Sequence, residues 1–460
     1  MKILNVLIVS AALLFGSIAS AQQQNLASLT IEQAVAKSRQ FPAVSASEEQ
    51  VNAASAGLRL ARTNYLPTIN AVGQINRATR NNVFGLLLPQ TVIPNMSGPV
   101  LGTNDGKTVW GSAAGILVSW EPFDFGRRRA LVRSAEATRQ RTQRSAERTR
   151  FEIETETAAA FLTVVASEQT VRAAQSAVDR ANVLVRSVKA LVDAKLRAGA
   201  DLSRADTELD ASQTQLLQAR ESADVAKTSL AEFTGMDLKK LVIAPGRLLD
   251  ALPEASGAPP DLTGNPSAKE QIAVVEESRA RVAVLQHSYR PTFALEGAAY
   301  GRGSGALTNG STLGGWNGLA PNYFNAGVGF TVNFALLNLP SIRAQKAQEE
   351  AVGRSAAATY RQVLAGLQQQ RNAAQATLQQ ARRIAGVMPK EVQDARTGFT
   401  QANAQYKAGL TNIVAVAEAQ RLLAQAEIDD SLAKLAVWRA WLQAQIVDGD
   451  ISPFLKEASR

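Results

Sequence analysis

Cysteine is absent from this sequence of 460 residues, and histidine occurs once, at position 287. The chain therefore cannot form disulfides, thiolate metal sites, iron–sulfur clusters or a cysteine nucleophile. A histidine-based catalytic triad would have to use His287, which has no evident partners in the sequence. Walker motifs and nucleophile elbows are also missing. We expect no catalysis, no metal and no cofactor.

Charge is scarce and slightly unbalanced. Charged residues make up 19% of the chain, below the roughly 25% that is usual in globular domains. Lys and Arg number 49 against 40 Asp and Glu, which gives a net charge of +9. A basic balance can indicate nucleic-acid binding. Here the basic residues are spread along helical stretches without zinc-finger spacing or interleaved aromatic residues, so we expect no nucleic-acid partner.

The N-terminus has the layout of an export signal. Met1-Lys2 gives a positive start, Ile3 to Phe15 is a short apolar run, and Ala19-Ser20-Ala21 is a small-residue cleavage site. The run is shorter than the roughly 20 apolar residues that cross a bilayer, although a permanent anchor is the alternative. We assign residues 1–21 to a signal peptide. No later stretch has 18 consecutive apolar residues, so the sequence predicts no membrane-spanning helix.

The rest of the chain is a duplication. Tyr65-Leu66-Pro67 recurs as Tyr289-Arg290-Pro291 at an offset of 224, and Leu196-Arg197-Ala198-Gly199 resembles Tyr406-Lys407-Ala408-Gly409 at an offset of 210. A repeat of this length is a domain-sized unit and not a solenoid. We assign a first repeat, a connection rich in Pro and Gly, a second repeat and a C-terminal tail. Their residues are 22–234, 235–266, 267–449 and 450–460.

Each repeat has the same predicted order: a medium helix, two strands, a very long helix and a return helix. Apolar residues recur at helical spacing in the long helices. A helix from Arg127 to Lys195 would span roughly 100 Å, too long for a compact globule of this size. We expect coiled-coil-like hairpins, with two ordinary bundles as the alternative. The predicted helices are Ile31 to Arg62, Arg127 to Lys195, Leu202 to Phe233, Ala268 to Gln286, Ser341 to Lys407 and Ile413 to Val447.

Two predicted strands carry aromatic residues at both ends of one face. Trp110 and Trp120 bound the first, and Phe324 and Phe334 bound the second. Ten residues of a tilted strand rise about 25 Å, which matches the apolar band of an outer-membrane barrel with an aromatic girdle at each edge. A soluble sheet packed on helices would show the same alternation and is the alternative.

Weaker alternation from Thr68 to Asn76 and from Thr292 to Arg302 brings the predicted strands to four. Four strands cannot close a barrel, because even small barrels need about eight. Open strand edges do not occur in lipid. Several chains must therefore share one barrel: three would contribute twelve strands, whereas two would give a barrel too narrow for a channel. The fold class is mainly α with a membrane β-barrel.

With these features the chain resembles the TolC family of outer-membrane efflux proteins. Tyr65-Leu66-Pro67 and Tyr406-Lys407-Ala408-Gly409-Leu410 carry the resemblance, and matching motifs extend from Ile31 to about Val447. The resemblance implies a homotrimer with a 12-stranded β-barrel and a periplasmic α-barrel of long helical hairpins. It implies a passive exit duct of a tripartite efflux or type I secretion system in a Gram-negative outer membrane. The C-terminal tail would be periplasmic.

The resemblance also implies partners. They are a periplasmic adaptor (membrane fusion) protein, an inner-membrane transporter of RND, ABC or MFS type, and the lipid bilayer. Without a cysteine to acylate, the barrel alone would anchor the chain. The alternative function is a periplasmic adaptor or coiled-coil scaffold. Adaptors usually have one helical hairpin, whereas this sequence predicts two.

The periplasmic ends of the hairpins are the predicted functional sites. Adaptor docking is assigned to Gly199, Ala200, Asp201, Leu202, Gly409, Leu410, Thr411 and Asn412, where glycines suit helix ends with positive φ. Tyr406 and Glu418 are gate candidates, because three copies of Glu418 around a narrow lumen would favour cations unless Arg421 neutralises them.

The resemblance further implies a lock that closes this end, to which Tyr406 would belong. Some members carry Arg two residues after the second glycine, where this chain has Thr411. Some carry Asp six residues after the first glycine, and counting from Gly199 gives Ala205. We therefore expect an incomplete lock. The exported substrate, the transporter class and the role of the apolar segment Val83 to Pro94 do not follow from the sequence.

Overall fold

The computed structural model describes residues 28–79, 106–249, 251–253, 260–307, 311–334 and 336–459. The predicted signal peptide and the segment Val83 to Pro94 lie outside these residues. The chain divides into two compact units. We call Met1–Phe41, Glu152–Pro259 and Gln370–Arg460 the helical unit, and Pro42–Phe151 and Pro260–Gln369 the sheet unit.

The order of elements repeats along the chain. One helix, two strands, a long helix and a return helix occur twice in succession, as the duplicated sequence predicts. The described helices are α1 (Ile31–Ser38), α2 (Pro42–Thr63), α3 (Arg127–Asp193), α4 (Gly199–Thr234), α5 (Pro266–His287), α6 (Leu339–Lys407), α7 (Ile413–Asp448) and α8 (Ser452–Ser459). The strands are β1 (Thr68–Thr79), β2 (Thr108–Phe123), β3 (Thr292–Ser304) and β4 (Tyr323–Asn333).

The first predicted helix, from Ile31 to Arg62, is in fact two helices. α1 ends at Ser38 and α2 begins at Pro42. Proline disfavours helical backbone at the residue before it, here Phe41, and suits the first position of a helix because its missing N–H would be unpaired there. α1 begins with a capping box in which Thr30 and Gln33 exchange hydrogen bonds.

The sheet unit contains one antiparallel sheet in the order β1-β2-β3-β4. Directly paired residues of antiparallel strands point to the same side. The register pairs Val118 with Ile69 and with Gly297, and Gly297 with Val328, so these residues share one face. Large exposed apolar side chains cover this face: Ile69, Ile75, Ile116, Trp120, Leu295, Phe324, Val328, Phe330 and Val332.

The opposite face of the sheet has more polar and small residues, although Val109 and Leu117 also lie on it and are buried. It carries Thr68, Glu296, Thr331 and Asn333, and the Thr331 hydroxyl donates to the Glu296 carboxylate at 3.3 Å. The alternation in the sequence correctly predicted which residues share a face, because side chains of a strand have a period of two.

Between the helices of the helical unit lie alanine-rich apolar clusters and an aromatic cluster. Trp438 and Trp441 of α7 pack edge-on against each other and contact Phe454 of α8. The Trp438 indole also donates to the Ala251 carbonyl at 3.0 Å. The C-terminal tail thus ends in a docked helix. None of the helices in the described part of the chain has an apolar stretch sufficient to cross a bilayer.

Candidate functional site

The tips of the two hairpins have the same backbone. α3 is followed by the first tip loop, residues 194–198, and α6 by the second, residues 408–412. Two hydrogen bonds close each loop in the pattern of a Schellman motif. In the first, Lys195 donates to Val192 and Leu196 to Leu191; in the second, Gly409 donates to Tyr406 and Leu410 to Gln405, all at 2.9–3.0 Å.

These matching bonds correct the sequence alignment of the tips. Equivalent residues are 214 positions apart, and not 210 as the similarity of the two Ala-Gly sequences indicated. The left-handed position is Lys195, with φ 58°, in the first loop and Gly409, with φ 80°, in the second. Gly199 is instead the first residue of α4. The expectation of a positive φ at Gly199 is therefore wrong, and the error amounts to about one helical turn.

The corrected alignment also changes the expected lock. Six residues after Lys195 comes Asp201, and not Ala205. The Tyr406 hydroxyl donates to the Asp201 carboxylate at 3.1 Å. The carboxylate that seemed to be missing from the sequence is thus present and bonded to the predicted tyrosine. Ala205 is buried in the packing beneath the tips, where a carboxylate would be costly.

Tyr406 is enclosed by the first tip loop and by apolar side chains. Its side chain is 1% exposed. The Arg197 guanidinium lies over its ring, 4.4 Å from the ring centre, and donates to its carbonyl oxygen at 2.5 Å. Leu184, Val188, Ile413 and Val416 complete the surroundings. Burial and the bonded Asp201 carboxylate raise the pKa of Tyr406, so the phenol is neutral and donates at neutral pH.

The second gate candidate has a different environment. Glu418 is exposed and forms a bidentate pair with Arg421, at 2.6 and 3.1 Å. The hydrogen bond from Arg421 lowers the pKa of Glu418. Its equivalent in the first repeat, 214 positions earlier, is Arg204 and not Glu208. An acidic residue in one repeat thus corresponds to a basic one in the other.

The predicted docking residues form two small exposed surfaces with an apolar residue at each. Leu410 is 79% exposed in the second tip loop, and its equivalent in the first, Leu196, is 70% exposed. Leu196 is not among the docking residues predicted from the sequence, because the offset of 210 paired Gly199 with Gly409. Asn412 caps α7 by accepting from the Ala415 N–H at 3.1 Å. Of the remaining predicted residues, Gly199, Ala200 and Gly409 are exposed, and Asp201, Leu202 and Thr411 are half-buried.

The predicted girdle residues lie on or beside the apolar face of the sheet. Trp110 stacks on Trp316 with ring centres 6.3 Å apart. The Trp120 indole donates to the Tyr65 carbonyl at 3.1 Å. Phe324 is 78% exposed on β4, and Phe334 follows the last residue of that strand.

Further aromatic residues gather where the strands meet the helices. The rings of Phe123 and Phe125 are 4.6 Å apart, and Phe293 lies beside both. Arg128, in the first turn of α3, lies over the Tyr65 ring and pairs with Asp124 at 2.8 Å. The Tyr65 of the Tyr-x-Pro motif therefore joins the start of β1 to the start of α3.

The chain matches the profile of the outer membrane efflux protein family over residues 20–236 and 262–445. No curated protein matches it. Among solved structures, the Campylobacter jejuni CmeC outer membrane channel is 15% identical, covers 97% of this chain and 92% of its own, and has a TM-score of 0.73. The Vibrio cholerae outer membrane protein VceC is 15% identical. The match covers 91% of this chain and 96% of VceC, with a TM-score of 0.72.

The open state of the Neisseria gonorrhoeae MtrE outer membrane channel is 14% identical, covers 94% of this chain and 89% of its own, and has a TM-score of 0.69. At such identities the likeness to these channels is one of fold. It extends over both repeats.

Proposed function

The chain belongs to the outer membrane efflux protein family, and we propose that it is the exit duct of a tripartite efflux or type I secretion system. The family consists of passive channels and not of enzymes. The observation that carries this function is the four-stranded sheet with one large apolar face, joined directly to two long helical hairpins. Such a chain can contribute strands to a barrel in lipid and helices to a duct.

We propose that the duct is a homotrimer. Channels of this family are trimeric and act with adaptors and inner-membrane transporters. For this chain the support is the sheet itself: β1 and β4 are its two edges, and unpaired strand edges are not stable in lipid. Pairing β4 of one copy with β1 of the next satisfies both edges, and three copies supply twelve strands.

We propose that the tips bind a periplasmic adaptor, which couples the duct to a transporter of RND, ABC or MFS type. Leu196 and Leu410 support this assignment, because each repeat presents one large exposed apolar side chain at the same place. Six such side chains would surround the opening of a trimer. The scaffold alternative gives no reason for an exposed apolar sheet face in the same chain.

The tip contact of Tyr406, Asp201 and Arg197 fits a closure device. It joins the two hairpins of one chain and so limits their separation. Thr411 cannot supply the cation that some family members carry there, but Arg197 brings a guanidinium to Tyr406 from the other loop. We propose that opening the duct requires these contacts to break.

Membrane fractionation with chemical cross-linking tests the assignment. The expected result is a chain that needs detergent for extraction from the outer membrane and yields cross-linked trimers. Because the chain has no cysteine, Leu410→Cys introduces a unique site for cross-linking to the adaptor, and exposed Val183→Cys on α3 serves as its control. Release of the protein by salt or alkali without detergent would instead support the scaffold.

A further inference from the structure

A strongly basic cleft lies between α2 and α3 in the sheet unit. Its volume is about 630 Å³. Four arginines and one carboxylate line it: Arg59, Arg62, Arg133, Arg139 and Glu136. We call these five residues the basic cleft. Its formal charge is +3. Elsewhere in the sheet unit, arginines such as Arg141 and Arg148 are paired with glutamates.

Three of these arginines form no salt bridge among the residues that the structure describes. Glu136 forms a salt bridge with Arg139, whose guanidinium donates to the carboxylate at 2.7 Å. That hydrogen bond lowers the pKa of Glu136, and the charge of Arg62 lowers it further. Arg59, Arg62 and Arg133 form no salt bridge with any carboxylate in the described part of the chain. The cleft therefore offers guanidinium groups to an external anion.

The duplicate of this cleft carries less positive charge. α5 and α6 enclose a second cleft at the equivalent place, with Glu350 in the position of Glu136. The offset is 224 for the arginines of α2 and 214 for those of α3. The equivalents of the four arginines are therefore Ala283, Gln286, Ala347 and Gly353. The second cleft contains Arg279, Arg354 and Glu350, so its formal charge is +1 against +3 in the basic cleft, and Arg279 is paired with Glu276. Packing of the helices alone thus does not require the arginines of the basic cleft.

The basic cleft lies close to the helix ends that adjoin the strands. Arg62 is one residue from the end of α2, and Arg133 is six residues, or roughly 9 Å, from the start of α3. The aromatic residues around Phe123 and Tyr65 mark this end of the sheet, and headgroups extend some 5–7 Å beyond the hydrocarbon. Arginine side chains can reach into that layer and bind phosphate by bidentate hydrogen bonds.

We propose that the basic cleft binds the phosphate headgroup of an anionic phospholipid in the periplasmic leaflet, one lipid for each chain. This inference rests on the proposed placement of the sheet in the outer membrane. The lipid would fix the depth at which the helices leave the bilayer, whereas the second cleft would remain without an anionic lipid.

Native mass spectrometry of the detergent-purified full-length protein with added phosphatidylglycerol tests the proposal. The variant R59A/R62Q/R133A replaces three of the four arginines by the residues at the equivalent sequence positions of the second repeat. It should lower the affinity for phosphatidylglycerol by at least about tenfold. The variant R172Q/R186Q/K189Q removes the same charge from exposed positions of α3 in the helical unit and should bind as the wild type does. Equal binding by all three proteins would overturn the proposal.

Two further measurements separate a lipid from other anions. The gain-of-charge variant A283R/Q286R/A347R should bind one additional phosphatidylglycerol for each chain. Inorganic phosphate at millimolar concentration should not displace the lipid from the wild type; if it does, the cleft is a site for free anions and the lipid assignment is wrong. R59A/R62Q/R133A should still form conducting trimers, so failure of the lipid site is distinguishable from failure of the proposed function.

Discussion

The hydroxyl of Tyr406 donates to the carboxylate of Asp201 at 3.1 Å, across 205 positions of sequence. This bond connects the end of α6, the long helix of the second hairpin, to the start of α4, the return helix of the first. Since Tyr406 is also covered by Arg197, the two tips of one chain form a single packed structure.

Removing the bond should loosen the tips. A hydrogen bond to a charged group contributes about 1.5 kcal/mol or more, so Tyr406→Phe and Asp201→Ala should open the loops roughly tenfold more often. Limited trypsin digestion measures this opening, because Lys195 and Lys407 are exposed beside the loops. Thr411→Ala, in the same region, is the control. Unchanged cleavage rates in both lock variants would show that the bond does not hold the tips.

Substitutions at the left-handed positions of the two tip loops should change the thermal midpoint in opposite directions. Lys195 has a left-handed backbone that costs a non-glycine residue about 1 kcal/mol, so Lys195→Gly should raise the thermal midpoint. Gly409→Ala should lower it for the same reason. Gly199→Ala should not, because Gly199 begins α4 and an added Cβ would meet no atom within 4 Å. A loss at Gly199 equal to that at Gly409 would restore the alignment at offset 210.

The Glu418–Arg421 pair predicts opposite effects on ion selectivity if Glu418 faces the lumen. Arg421→Ala should free the carboxylate and raise the preference for cations, whereas Glu418→Ala should lower it. Reversal potentials in a salt gradient measure both, and Arg204→Ala tests the equivalent position of the first repeat. Identical reversal potentials for the wild type and these variants would exclude Glu418 from the gate.

The two faces of β4 should differ in their tolerance of charge. Val328 is 82% exposed on the apolar face, and an arginine there should cost about 2–4 kcal/mol in a bilayer. Thr331, on the other face, already donates to Glu296, so Thr331→Arg should fold and assemble. The yield of heat-resistant trimer from outer membranes measures both. Comparable yields for Val328→Arg and Thr331→Arg would contradict the lipid-facing assignment.

The strands and their faces could be predicted because alternation is a local property. From Phe324 to Phe334 each apolar residue marks the same side, and the observed register agrees. The repeated order of elements was equally accessible, since Tyr65-x-Pro67 and Tyr289-x-Pro291 recur before equivalent strands.

The tips could not be predicted in the same way. Sequence similarity favoured Gly199 for the left-handed position, but the backbone places Lys195 there, a residue that local rules disfavour. The bond between Asp201 and Tyr406 depends on packing of distant helices. The basic cleft could not be predicted for the same reason, because its arginines come from two helices, α2 and α3. Arg62 and Arg133, for example, are 71 positions apart in the sequence.

Single-channel recording of the purified protein in planar lipid bilayers tests the central claim, that this chain forms a duct, most directly. If the tip contacts hold the duct closed as proposed, the wild type should insert and give uniform small conductance steps. Asp201→Ala and Tyr406→Phe should give larger steps from the same assembly, with Thr411→Ala at the wild-type value. Insertion of correctly assembled protein without conductance, in the wild type and in both lock variants, would contradict the account.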